Sequence, residues 1–181
     1  MDAVNCIKTR RSIRKFEDKP VSEELIKEII EITAYSPSWK NTQTSRFIAI
    51  FDKDLKTKIA EEAVMGFTWN TNNINGAPLL MVEITENGKS GFEADGSYST
   101  AKETHWQSFD SGIFAQSFSL ACHEKGLGSV ILGIFDEAKV KEILGLGENE
   151  LVSALIPVGY PLEVPAKAPA RKSVEELLTI R

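Results

Sequence analysis

Residues 100–129 read TAKETHWQSFDSGIFAQSFSLACHEKGLGS. Phe109, Ile113, Phe114, Ser117, Leu120 and Ala121 recur at near-helical spacing, and Ala115 and Phe118 add an adjoining face. The pattern predicts one long helix running to about Lys125. Thr100 and Glu103 fit a capping box at its start, and Gly126 is a natural stop at its end. A helix apolar on two adjoining faces belongs in the centre of a fold or in a subunit interface.

The flanking chain supplies a sheet and further helices. Residues 46–51 (RFIAIF), 77–84 (APLLMVEI), 129–135 (SVILGIF) and 151–160 (LVSALIPVGY) read as strands. Pro157 marks the last as an edge strand or a bulged one. Ser22 opens a helix carrying Leu25, Ile26, Ile29, Ile30 and Ile32, which ends before Ser36-Pro37. Residues 2–9, 55–64 and 136–144 are further helices, and Ser173 starts a short last one. Residues 36–45 and 87–99 read as loops, and residues 66–76 are asparagine-rich. The sum is an α+β or α/β sandwich of four or five strands in one domain over residues 1–181.

The 181 residues are 42% hydrophobic and 26% charged, enough to bury a core. No apolar run reaches a bilayer-spanning length, and residues 1–16 lack the apolar block of a signal peptide, so a soluble cytoplasmic protein is expected. Two cysteines (Cys6, Cys122) and two histidines (His105, His123) form no metal-ligand spacing, and no metal is expected. The cysteines read as buried small hydrophobes, and the histidines as residues without a catalytic role. No Walker motif and no Ser/His/Asp arrangement stands out.

Charge is unevenly placed. Residues 5–16 hold five basic groups and no acid, and residues 165–172 hold three more and no acid. Subtracting these eight from 21 leaves 13 basic against 26 acidic residues, a body of −13. That body would repel a polyanion, so nucleic acid is not an expected partner. The basic ends are either solvated termini or two parts of a pocket for one small anion. In an extended 10–14 segment, Arg10, Ser12 and Arg14 would share a face and Ile13 would anchor it. Residues 36–43 (SPSWKNTQ) suit a polar heterocycle, and Gly133 within a strand suggests a bulge or close backbone approach to a ligand.

In this order, RRSIRKF, SPSWKNTQTSRF, the helix ending GLGS, ILGIFDEAKVKEILGL and ALIPVGYP resemble the FMN-dependent nitroreductase family, in its short form. The resemblance covers nearly the whole chain. It implies a nitroreductase-like sandwich, a central mostly antiparallel sheet flanked by helices, in an interlocked homodimer with FMN at the interface. An arm of about residues 161–181 would wrap the partner. Arg10 and Ser12 would bind phosphate, Arg11 would add a weaker contact, and Arg14 would approach the N1–C2=O side of the ring. Pro37, Ser38, Trp39 and Asn41 would come from the partner chain. Asn70, with Asn73 a looser match, would lie nearby. Backbone groups of Leu132 and Gly133 would face N5 and O4, and Arg171, with Lys167, would clamp the phosphate. Phe67, Trp69, Phe92 and Trp106 are candidates for stacking on an aromatic acceptor.

The implied activity is ping-pong reduction of nitroaromatics, quinones or similar acceptors by NADH or NADPH, with no protein nucleophile. The alternatives are another flavin reaction on the same scaffold (dehalogenation, azoline oxidation or flavin fragmentation) and a flavin-binding protein without catalysis. Thr44-Ser45 stands where many relatives carry Pro-Trp, and Trp39 is bulky for a ring-lining position.

Overall fold

A computed structural model describes residues 2–164 and 168–181. Four strands, β1 (Ser45–Ile50), β2 (Leu79–Glu86), β3 (Gly128–Ser129) and β4 (Glu150–Gly159), form one antiparallel sheet in the order β1-β2-β4-β3. Seven helices accompany them among the described residues: α1 (Ala3–Thr9), α2 (Glu23–Thr33), α3 (Lys53–Glu62), α4 (Thr68–Asn75), α5 (His105–Glu124), α6 (Glu137–Leu144) and α7 (Val174–Leu177). None is long and apolar enough to cross a membrane. The expected α+β sandwich with an antiparallel sheet is what forms.

β2 is an almost unbroken apolar run because both of its faces are covered. Leu80, Val82 and Ile84 pack with Ile59 of α3, Ile74 of α4 and Val140 of α6. Leu79 and Met81 pack on the opposite side with Ile26 and Ile29 of α2 and Phe118 of α5. The result is three layers, with α5 across one face of the sheet. Within the chain, α5 buries Ser111, Ala115, Phe118 and Cys122. Of the stripe expected to be its main apolar face, Ala121 is buried and Phe114 stacks on Phe47 of β1 at 5.1 Å, while Ile113 and Leu120 are half-buried and Phe109 is 55% exposed. A helix with apolar groups on both its inward and outward faces still lacks a cover.

The asparagine-rich residues 66–76 are mostly taken up by α4. Asn70 and Asn73 are buried on one side of it with Ile74, and tertiary packing overrides their modest helix propensity. Several expectations are corrected. The capping box at α5 does not form. Glu103 takes a left-handed φ of 50°, and the Thr100 hydroxyl accepts instead from the Lys102 amide and the Trp106 indole. Strand 129–135 is cut to two residues. Opposite Val130, Pro157 offers a carbonyl (3.4 Å) but has no N–H to return. The ladder resumes only where Leu132 and Leu155 exchange both bonds, at 2.8 and 3.2 Å. β4 is therefore an inner strand, not an edge. Its bulge lies at Ser153, where the pairing shifts between Glu83 and Ile84.

Glu83 sits in β2 with no exposed surface, among apolar neighbours. Ser111 donates to its Oε1 at 3.0 Å, and Oε2 has no partner. Burial pushes its pKa up to about 7, against a smaller lowering by the Ser111 bond. A raised folded-state pKa means stability is complete below the unfolded value of 4.5 and declines as pH rises through about 7. Glu83→Gln should therefore gain about 3 kcal/mol over wild type at pH 8 relative to pH 4.5. Urea unfolding across that range measures this gain, and a difference that does not change with pH would remove the buried charge from the explanation.

Candidate cofactor site

The basic strip is pinned to the sheet. α1 ends at Thr9, and the Arg10 amide still bonds to the Cys6 carbonyl at 3.1 Å. Ser12 then bridges Ser129 in parallel, and the Ile13 amide donates to the Ser129 carbonyl at 3.0 Å. Ile13 is buried directly over Gly128, where an added Cβ would lie 2.5 Å from the Ile13 side chain. Only glycine leaves room for that approach. Further on, Leu162 donates to the Lys15 carbonyl and Glu17 to the Tyr160 carbonyl, so the strip also carries the start of the C-terminal segment.

Two hollows flank this anchor. The first, about 170 Å³, is lined by Thr9, Arg10, Arg11, His123, Gly128 and Ser129. The Nε atoms of Arg10 and Arg11 are buried there without partners, as an anion pocket would leave them. Arg11 also turns its Nη1 back onto the Lys8 and Arg10 carbonyls, closing the end of α1. The second, about 330 Å³, is lined by Arg14, Phe67, Trp69, Asn70 and residues 130–134. Asn70 donates to the Ile134 carbonyl at 2.9 Å and so fixes the course of that segment. The backbone of Leu132 is directed at Leu155. Gly133 makes no hydrogen bond among the described residues and has open space around it. Its amide, unlike that of Leu132, is not taken up by the sheet.

The loop that carries Pro37, Ser38, Trp39 and Asn41 lies elsewhere. Pro37 and Ser38 line a third hollow of about 340 Å³ between α2, β1 and α5. Lys40, Asn41 and Gln43 all have left-handed φ values, 46°, 56° and 50°. Such a run without glycine is strained and must be held by its surroundings. Buried Asp110 does much of this, since its Oδ2 accepts from the Trp39 amide at 2.8 Å and from the Ser90 hydroxyl at 2.6 Å. Ser38 accepts from the Gln43 amide, and Lys40 pairs with Glu93 at 3.0 Å. The Trp39 ring packs on Trp106 at 4.6 Å.

Sequence reasoning missed Asp110 and His123, which look ordinary until packing places them. Of the aromatic candidates, Trp106 is occupied with Trp39 and Phe109, and Phe92 with Tyr98. Phe67 and Trp69 line the second hollow. Arg171 lines none of the three; its Nη1 bonds to the Pro169 and Ala170 carbonyls. Lys167 lies outside the described residues. One chain thus assembles Arg10, Arg11, Arg14, Asn70, Leu132 and Gly133 along two adjoining hollows. It leaves the 37–41 loop and Arg171 apart from them.

Residues 7–160 match the model of the nitroreductase family. The chain belongs to that family. A NADPH-flavin oxidoreductase of Vibrio harveyi is 29% identical over 181 residues, covering 97% of this chain and 73% of that one. An iodotyrosine deiodinase of Nematostella vectensis is 26% identical over 200 residues, covering 97% of this chain and 73% of that one. A crystal structure from Exiguobacterium sibiricum, solved in complex with FMN, superposes with a TM-score of 0.86 over 100% of this chain and 98% of that one. At 17% identity that last likeness is one of fold.

The residues present suit a nitroreductase-family flavin. Orphaned arginine Nε atoms fit a phosphate, and an open Gly133 amide beside Arg14 fits the polar edge of a ring. The anchor can be tested directly. Gly128→Ala should destabilise the chain by about 1–3 kcal/mol, because Ile13 must yield. Gly133→Ala, with nothing within 4 Å of its added Cβ, should stay near wild type. Thermal or urea unfolding of both variants checks this, and equal stability of the two would contradict the close-approach reading.

Proposed function

We propose that the protein is an FMN-dependent oxidoreductase that takes reducing equivalents from NADH or NADPH and delivers them to a nitroaromatic, quinone or similar acceptor. It works as a homodimer, a single domain over residues 1–181 whose arm of about residues 161–181 lies on the partner. The observation that carries this reading is the pair of hollows on either side of Ile13, basic at one end and bearing a free backbone amide at the other.

Arg10 and Ser12 would hold the phosphate, with charge-assisted bonds from the guanidinium. Arg14 would sit at the N1–C2=O edge, where its charge would stabilise added negative charge. The Gly133 amide would donate at the N5 side, a fixed dipole that needs no reorganisation. Bound FMN would supply the two-electron chemistry between nicotinamide and acceptor. No protein nucleophile is needed, and Phe67 and Trp69 would line the acceptor side.

The separation of the 37–41 loop from the strip supports a dimer, because a second chain could bring the two together. So does the apolar outer face of α5. The arm carries Val174, Leu177, Leu178 and Ile180, all exposed, the last at 86%. Apolar residues at that exposure gain by covering a neighbour. A second reading on the same scaffold, reductive dehalogenation, is favoured by the likeness to an iodotyrosine deiodinase.

The purified protein should be yellow, release FMN on denaturation and bleach when NADH or NADPH is added anaerobically. A flavin that stays oxidised with both nucleotides would support binding without this catalysis. A colourless protein that also refuses added FMN would refute the proposal. Arg14→Ala should lower FMN affinity by about tenfold to a hundredfold, as expected for a lost charge-assisted bond. Fluorescence titration of the apoprotein measures it. Truncation after Glu163 should yield a monomer by light scattering, and a truncated chain that remains dimeric would remove the arm from the interface.

A further inference from the structure

His123 has no role in the chemistry above, yet it lines the phosphate-sized hollow beside Arg10 and Arg11. Its Nε2 lies 2.8 Å from the Thr9 hydroxyl. That hydroxyl has one proton, and it is given to the Asn5 carbonyl at 2.7 Å. With that proton on the Asn5 carbonyl, Thr9 accepts from His123 and Nε2 is the protonated ring nitrogen of the neutral tautomer. In the neutral ring the lone pair is on Nδ1, and any second proton must go there.

The protein groups around the ring oppose that second proton. Burial holds the imidazole below its ordinary value, the Arg10 guanidinium adds to this, and Arg11 adds less. Glu124, on the same helix, pulls the other way. Among the described residues, Arg10, Arg11 and Glu124 are the charged groups that act on the ring. A phosphate dianion between the two arginines would cancel the repulsion and add an attraction.

We propose that His123 is a further phosphate-binding residue of the flavin pocket, fixed by Thr9 and becoming an imidazolium when the phosphate enters, with the proton drawn from solvent. This rests on the flavin reading and adds a residue to it. Cofactor binding is then proton-linked. Affinity for FMN rises as pH falls, until the phosphate itself takes a proton near its second pKa of about 6. The 5′-hydroxyl of riboflavin carries no such charge, so riboflavin gains nothing from the imidazolium.

The test is titration of the apoprotein with FMN and with riboflavin between about pH 8.5 and pH 6.5, for wild type and His123→Gln. The glutamine amide can still donate to Thr9 but cannot charge. Wild type should bind FMN more tightly at the lower pH by up to about tenfold. His123→Gln should lose most of that gain, and riboflavin should show none in either protein. Calorimetry in two buffers of different ionisation enthalpy should find proton uptake on FMN binding by wild type and less by the variant. Tight FMN binding with the same pH response and proton uptake in both proteins would overturn the role of His123 alone. No binding of FMN at any pH would overturn the flavin reading and this inference with it.

Discussion

The Ile13 amide on the Ser129 carbonyl, with the Ile13 side chain seated over Gly128, is the constraint on which the site depends. It fixes a basic strip to the end of the sheet. Arg10 and Arg11 then fall on one side of the anchor and Arg14 on the other. The hydrogen bond alone is worth about 1 kcal/mol. Its specificity comes from the missing Cβ at Gly128, because any other residue would push the strip away. The same contact places the C-terminal segment, which leaves β4 beside Phe16 and Lys15.

Beyond this anchor, much of the nitroreductase-family site is defined by what one chain leaves incomplete. The outward face of α5 is apolar, the 37–41 loop is strained and tied down by Asp110, and the last helix exposes its apolar residues. Each is costly in an isolated chain, and in the proposed dimer each would be eased by the second copy. The charge pattern agrees. A body of −13 keeps polyanions away, while the concentrated positive end can hold one small phosphate.

The main architecture was legible because burial on both faces leaves a plain mark. Residues 77–84 read as a strand from their apolar run, and β2 fills most of that stretch. The long α5 and its stop at Gly126 were equally open to reading, as was Ile13 as the anchor of the strip. What escaped depended on tertiary partners. The asparagines of α4 become helical because Asn70 and Asn73 are buried against neighbours, which spacing does not reveal. The short β3 follows from Pro157 in another strand, a cross-strand effect invisible within 129–135. Thr100 and Glu103 matched a local capping pattern, but Trp106 took the hydroxyl. His123 looked like any helix-face residue until α1 brought Thr9 to it.

The central claim is that two chains share each flavin site. It is tested most directly with a mixed dimer, purified through two different tags. One chain carries Arg10→Ala and Arg14→Ala, and the other carries Trp39→Ala and Asn41→Ala. Each parent homodimer should retain little FMN. The mixed dimer has one site built wholly from unaltered halves, so it should bind one FMN tightly and leave the other site weak. If the mixed dimer binds FMN no better than its parents, the site is not shared between chains in this way.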